Sequence, residues 1–392
     1  MKMIDPLSLL SLAGLLVACS PATEDTQNEA DTDTDTDTDT DTDTDTDTDT
    51  DTDTDADPPQ TFAVVATTSL DGVSGSFATV DLDDLTLDDN LLVTADDNVV
   101  SASRGWVFTL GRQGTDTLSA YLPGEWDAPE WEISTGEDSD PIHAEVCAGE
   151  VFAVLYASKS LYSYELGDGD FRGTTDLSEF NDTDSNGPEP ASVVRFGDTL
   201  YVGLQRLNQD TFRSEGSVVA EIDCKERDVT DSWFVGGEIV IAPWIGEDKI
   251  LVGSAAYGTD TAGIYVVDPV ADTVEQLLDT SGGEDVDSDI VGIAAEGAAG
   301  IAISYRSRSP FEDSRYGIHC LDLDSGTQTL IEETQDELTD IKRNDRGEVW
   351  ITAAHGFLGG SPKLRIFDLA TCAEKDGSPL TFGFSPNHVD FY

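Results

Sequence analysis

Ser385–Tyr392 reads S-P-N-H-V-D-F-Y. It is a strand with no hairpin partner nearby in the chain. It echoes Asp140–Val146, D-P-I-H-A-E-V, which opens a complete four-strand unit far upstream. The first such unit, beginning at Thr61, lacks its opening strand. A spare strand and a unit short of one strand complete each other, so the far end of the chain is expected to pair beside Phe62 and close a ring. Closure of this kind removes two exposed sheet edges at once.

Working outward from that pair, one pattern recurs seven times. The second strand of each unit reads F-A-V-V at Phe62, W-V-F-T at Trp106, V-F-A-V at Val151 and L-Y-V-G at Leu200. It continues as I-L-V-G at Ile250, I-A-I-S at Ile301 and V-W-I-T at Val349. The spacings are 44, 45, 49, 50, 51 and 48 residues. Several short strands per period of 40–50 residues are the mark of propeller blades. The runs are rich in β-branched and aromatic residues and bounded by Gly, Asp, Asn and Pro, as strands are. The third strand of most units ends on an acid: Asp81, Glu165, Asp223, Asp268, Asp322 and Asp368, with Leu122 the exception. An acid there can cap the backbone of the following turn. The expected fold is all-β, a seven-bladed β-propeller over 61–392, closed by the C-terminal strand. The form V-x-D-x-x-x-x-T resembles the loose repeats of YVTN-type and TolB-like propellers. That resemblance covers the whole ring and implies a fold, not an activity.

In a propeller the second-to-third strand loops and the blade-to-blade loops share one face. Both sets are long here, the first including 205–217, 304–317 and 352–363 and the second 135–141, 178–190 and 280–289. Binding residues concentrate on loops held by a rigid scaffold. A basic group on this face comprises Arg206 and Arg213 in one loop and Arg306, Arg308 and Arg315 in another. Such arginines suit a carboxylate or sulfate ligand; the alternative is local ion pairing. An acidic group, Asp182-x-Asp184-x-Asn186-Gly187 followed by Glu189, has oxygen ligands at alternate positions before a glycine. It is the candidate calcium site, the alternative being a polar linker. His143 and His388 occupy matched places on inner strands facing the central channel, with Asn98 at the same offset on the strand between them. His355, beside Gly356, is a further candidate ligand or acid–base group.

Cys147 and Cys224 fall at turns on one face of neighbouring units and are expected to pair. Cys320 is either a buried free thiol or the partner of Cys372. No H-E-x-x-H, G-x-S-x-G or phosphate-cradling glycine loop occurs. Active sites of propellers are assembled from separate blades, so this absence excludes little.

The N-terminus adds an address. An apolar run from Leu7 to Ala18 is too short to span a bilayer and suits a signal-peptide core. It ends in L-V-A-C at Leu16–Cys19, which resembles the bacterial lipobox. That resemblance implies cleavage after residue 18, lipidation of Cys19 and, with Ser20 rather than Asp next, an outer-membrane address. Residues 31–55 alternate Asp and Thr with thirteen Asp. Like charges at every second position and no apolar face predict a disordered, extended tether over 19–60. From Cys19 to Pro58 it reaches at most about 130 Å.

The chain of 392 residues carries a formal charge of −60, and 62 acidic against 19 basic residues leave −43 on the part from residue 61 onward. Such a surface repels nucleic acid and anionic membrane. The leading expectation is a monomeric, lipid-anchored binding module, periplasmic or surface-exposed, taking a protein, glycan or small ligand on its long-loop face. The rivals are a propeller enzyme, a glycan lyase or hydrolase, and a periplasmic scaffold for envelope assembly. Perturbed titratable groups in a deep mouth would favour the enzyme; a flat polar mouth would favour binding. Replacing Cys19 with Ala is expected to move the protein from the membrane fraction to the soluble fraction and to abolish lipid labelling. Unchanged fractionation of that variant would remove the lipid as the main attachment.

Overall fold

The computed structural model describes residues 58–392 except 182–186, 209–212, 215, 256–261, 281–288, 307–313 and 356–359. For Asn208, Arg213 and Glu238 it describes only the backbone. The described residues are almost wholly β, with a single 3-10 turn at Ser178–Phe180. None of their helices is long and apolar enough to cross a membrane.

The strands form a β-propeller. The first sheet runs Leu87–Thr94, Gly75–Asp81, Phe62–Thr68 and Ser385–Phe391 from rim to axis. The C-terminal strand lies antiparallel to Phe62–Thr68, pairing Ala63 with Phe391 and Val65 with Val389. A bulge between Ala66 and Thr67 steps over Asn387. Three further four-stranded sheets open on Asn98–Ser103, Pro141–Cys147 and Pro190–Phe196 at the axis. A five-stranded sheet opens on Glu337–Arg343. A small ladder, Leu207–Asn208 with Arg213–Ser214, stands apart from these sheets.

The expectation of a seven-bladed ring is corrected here. Five sheets stand as blades of their own. The strands of the fifth and sixth repeats form one continuous eight-stranded sheet, ordered Thr273–Asp279, Gly263–Asp268, Lys249–Ala255, Glu238–Ile245, Asp289–Glu296, Ala299–Arg306, Arg315–Asp322, Thr327–Thr334. The join is a parallel pairing of Trp244 with Ala295 and Ile245 with Glu296. Inner strands converge towards the axis, and here two come close enough to share hydrogen bonds instead of diverging. The Trp244 indole N–H donates to the Gly297 carbonyl at 2.7 Å, and the Gly297 N–H donates to the Ile245 carbonyl at 3.1 Å, which holds the seam shut.

Burial follows position in the sheet. Second strands are covered on both faces, so they read as unbroken apolar runs; Glu348–Ala354 is buried throughout. Outermost strands such as Leu87–Thr94 alternate between exposed and half-buried residues. Apolar clusters fill the gaps between neighbouring sheets. At the closing seam Trp350, Leu364 and Ile366 pack against Val65, Val389 and Phe391. The Trp350 and Phe391 rings meet edge to face at 5.4 Å. Close approach is bought with glycine at Gly253, where a Cβ would stand 2.6 Å from Cγ2 of Ile290.

The acids ending the third strands cap their turns. Asp81 accepts the Asp83 N–H at 2.7 Å, Asp268 that of Ala271 at 2.8 Å and Asp368 that of Thr371 at 2.8 Å. Two disulfides, Cys147–Cys224 and Cys320–Cys372, bridge neighbouring sheets with Cα separations of 5.9 and 5.8 Å. They close loops of 77 and 52 residues in sequence, and cross-links of that span restrict the unfolded chain.

Removing residues 387–392 is expected to cost about 5 kcal/mol or more, because Val389 and Phe391 leave the core and a strand edge opens. Thermal melting of the truncated protein checks this; a melting temperature equal to that of the intact chain would contradict the importance of the seam.

Candidate functional site

The innermost strands surround a cavity of about 870 Å³. Side chains two apart on a strand share a face, and three inner strands present charged pairs at that spacing: His143 and Glu145, Asp340 and Lys342, His388 and Asp390. Arg195 joins them from Pro190–Phe196. All seven line the cavity. Glu238–Ile245 and Asp289–Glu296 contribute Val240, Ala242, Val291 and Ile293 instead. The cavity therefore has a charged arc and an apolar arc, and the apolar one belongs to the eight-stranded sheet.

The charged arc is held by its own hydrogen bonds. Glu145 accepts from Arg195 Nε at 2.9 Å and from the Ser103 hydroxyl at 2.7 Å, and His143 Nε2 stands 3.6 Å away. Asp340 accepts the backbone N–H groups of Val389 and Ile341 at 3.0 and 2.8 Å, with His388 Nδ1 at 3.4 Å. Asp390 accepts those of Ala102 and Phe391 at 2.9 and 3.0 Å. The bonds from Arg195 and Ser103 to Glu145, from Val389 to Asp340 and from Ala102 to Asp390 cross between sheets, so the arc is also a clasp. The side chains of His143, Glu145 and Asp340 are 16%, 15% and 15% exposed, which leaves each a small face on the cavity.

Enclosure and neighbouring charge set the titration of the arc. Burial pushes the Glu145 carboxyl up, but His143, Ser103 and Arg195 together bring it below the ordinary glutamate value. Burial likewise works against ionised Asp340, and His388, Lys342 and the Val389 N–H outweigh it, so its pKa is lowered. Asp390 differs: burial prevails over the charges of Lys342 and His143, and its pKa is raised. For Lys342 burial disfavours the ammonium, yet Asp390, Asp340 and Glu145 overcome this and raise its pKa, keeping it charged.

Of the residues singled out from sequence, the structure brings His143 and His388 into this cavity, each beside a carboxylate. Asn98 does not line it. That side chain is buried, and its amide donates to the carbonyls of Ala95 and Thr67 at 2.7 and 3.2 Å. The offset that matched it to the histidines lies too near the strand's start to reach the cavity. Arg206 donates to the carbonyls of Phe180 and Gly216, both at 2.9 Å. Arg306 pairs with Glu333, and Arg315 Nε lies 3.9 Å from the same carboxylate. His355 is exposed, and its Nδ1 is 2.9 Å from the Gly360 carbonyl, so that nitrogen carries the proton. Glu189 is buried and accepts the Leu207 N–H. Asp182, Asp184, Asn186, Arg308 and the Arg213 side chain lie outside the described residues. Among the described residues no group of three or more His, Cys, Asp or Glu is placed to hold a metal ion.

Glu145, Asp340, Lys342, Asp390 and Arg195 were not read from the sequence. For Glu145 and Asp390 the signal was the charge two residues after the matched histidines, in H-A-E and H-V-D; D-I-K at 340–342 repeats that spacing.

No known family pattern matches the chain. No curated protein is similar to it. Solved structures are similar in fold. A protein from Lactobacillus plantarum aligns over 85% of this chain and 99% of its own, with TM-score 0.58 and 13% identity. The periplasmic gluconolactonase PpgL of Pseudomonas aeruginosa covers 84% and 98%, with TM-score 0.56 and 12% identity. The Cps50 (Swd1) propeller domain of Myceliophteria thermophila covers 80% and 98%, with TM-score 0.54 and 12% identity. Identities this low establish the propeller alone, on which unrelated functions are built.

Because the Asp340 carboxyl titrates lower in the folded protein, its stabilisation is present above the ordinary aspartate pKa near 3.9 and is lost as the pH falls through its depressed value. Asp340→Asn is expected to cost about 1–3 kcal/mol at pH 7. Melting curves at pH 7 and in acid should show the gap to the native protein closing as the native carboxylate protonates. A gap independent of pH would mean the charge contributes nothing.

Proposed function

We propose that the protein is an exported binding module that takes a small molecule into its central cavity. The observation carrying this reading is the 870 Å³ cavity with a preorganised charged arc opposite an apolar one. Sites for small molecules are commonly concave, several hundred cubic ångströms in volume and mixed in this way. The lipidated Cys19 and the Asp-Thr tether would hold the ring out from the membrane. The long-loop face would remain a second surface for a protein or glycan partner. A calcium ion held by Asp182, Asp184, Asn186 and Glu189 would add to that surface, Glu189 keeping an oxygen beyond the one that accepts the Leu207 N–H.

One observation favours a second reading, an enzyme acting on glycans or related sugar derivatives. Two imidazoles stand beside carboxylates, near an aspartate whose pKa is raised by burial. Such an arrangement is suited to moving protons. Among the described residues no hydroxyl or thiol hydrogen-bonds to either imidazole, so a carboxylate or water would serve where the reaction needs a nucleophile. The gluconolactonase of similar fold makes a sugar lactone a reasonable probe.

Thermal-shift screening of the intact protein against a small-molecule library tests the first reading. A ligand at a hundred times its Kd adds about 2.7 kcal/mol of stability. Val291 lines the cavity and is 38% exposed, so Val291→Trp fills the space without crowding the core. Hits that vanish in Val291→Trp are expected; hits that persist there would place binding elsewhere. Turnover of a lactone or oligosaccharide that is lost in both His388→Ala and Asp390→Asn would replace binding with catalysis.

A further inference from the structure

Lys342 is the unusual member of the charged arc. Its ammonium is kept charged by Asp390, Asp340 and Glu145. Among the described residues, none accepts a hydrogen bond from its Nζ or stands within ion-pair distance of it. The three carboxylates, by contrast, are engaged by backbone N–H groups, a hydroxyl or a guanidinium, as described above. The cavity thus offers an ammonium with three unused donors, fixed in place by charges that neutralise it at longer range.

We propose that the ligand of this cavity is a neutral, oxygen-rich molecule of sugar or polyol type, and that Lys342 is the residue that selects it. The proposal rests on the reading of the cavity as a small-molecule site. An anionic ligand would satisfy Lys342 but would meet Glu145, Asp340 and Asp390 at close range, inside a domain of net charge −43 that already repels it. A cationic ligand would meet the like charges of Lys342 and Arg195. A neutral hydroxyl or carbonyl oxygen accepts from the ammonium without either penalty, and hydroxyl hydrogens can still reach the second lone pairs of the carboxylates. The opposite wall fits the same chemistry. Val240, Ala242, Val291 and Ile293 present an apolar face to the C–H side of a sugar ring, while its hydroxyls turn to the charged arc. A buried polar group left unpaired is costly, so a site built around idle donors discriminates strongly for the ligand that fills them.

Isothermal titration of the intact protein with glucose, N-acetylglucosamine, maltose and myo-inositol tests this, with choline and citrate at matched ionic strength as charged probes. At least one neutral probe is expected to bind, and Val291→Trp is expected to abolish it. Lys342→Met should weaken that binding about tenfold to a hundredfold, the effect of one charge-assisted hydrogen bond. Lys342→Arg retains the charge that balances the carboxylates, so it keeps the arc folded while misplacing the donor, and it should weaken binding to an intermediate degree. Neutral-probe binding unchanged in both Lys342 variants would overturn the proposal. Choline or citrate binding lost in Val291→Trp, with no neutral probe bound, would overturn the ligand class and leave the cavity as the site. No probe bound in a Val291-sensitive way would overturn the ligand class here, while hits from the unbiased library screen would separately decide the cavity reading.

Discussion

Everything in the ring depends on one antiparallel pairing, that of Ser385–Phe391 with Phe62–Thr68. It covers a strand edge that would otherwise stand open, and it seats Phe391 on Trp350 and Val389 among the residues of the closing core. The same strand carries His388 and Asp390 into the cavity. Closure and site are therefore one structural event. Asp340, on the neighbouring sheet, accepts the Val389 N–H, and Asp390 gives Ala102 its acceptor, so polar bonds lock the seam from both sides.

The sequence made this seam legible because a strand without a local partner is conspicuous. Its echo of Asp140–Val146 also identified His143 and His388 as equivalents, and both reach the cavity. Strand repeats were legible for the same reason: second strands buried on both faces read as continuous apolar runs. Blade number was not. Whether two inner strands diverge or hydrogen-bond depends on how closely they converge at the axis, and nothing in W-I-G-E or A-A-E-G announces that Trp244 and Ala295 will pair. The offset logic that found the histidines failed at Asn98, since a strand's start faces its own turn rather than the cavity. Most of the site was hidden for a different reason. Glu145, Asp340, Lys342 and Asp390 lie on three strands that look ordinary one at a time; they become a site only when the inner strands are placed around an axis.

The charged arc shows how an acidic protein can hold basic groups for its own interior. Lys342 and Arg195 are two of only nineteen basic residues in the folded part, and both face the cavity among carboxylates. Elsewhere the arginines steady loops and edges: Arg206 on two carbonyls, Arg365 between Glu332 and Glu374. A cation surrounded by excess anions keeps its proton, so the interior of the ring stays polar across the neutral range, while burial leaves Asp390 the carboxylate least content with its charge.

Thr61 and Phe62 donate backbone hydrogen bonds to the Tyr392 carbonyl at 2.8 and 3.0 Å, and the Gln60 and Asp345 side chains tie the same corner to the neighbouring sheet. Around the axis the order of sheets has no natural first member, and the position of the opening is arbitrary. Residue 61 could be joined to residue 392 through a short linker, and the chain cut instead at the exposed turn residues Gly167 and Asp168, without altering any sheet. Circular permutation of this ring would then relocate both chain ends, so that the edge of the ring at which any attached segment begins becomes something that can be chosen.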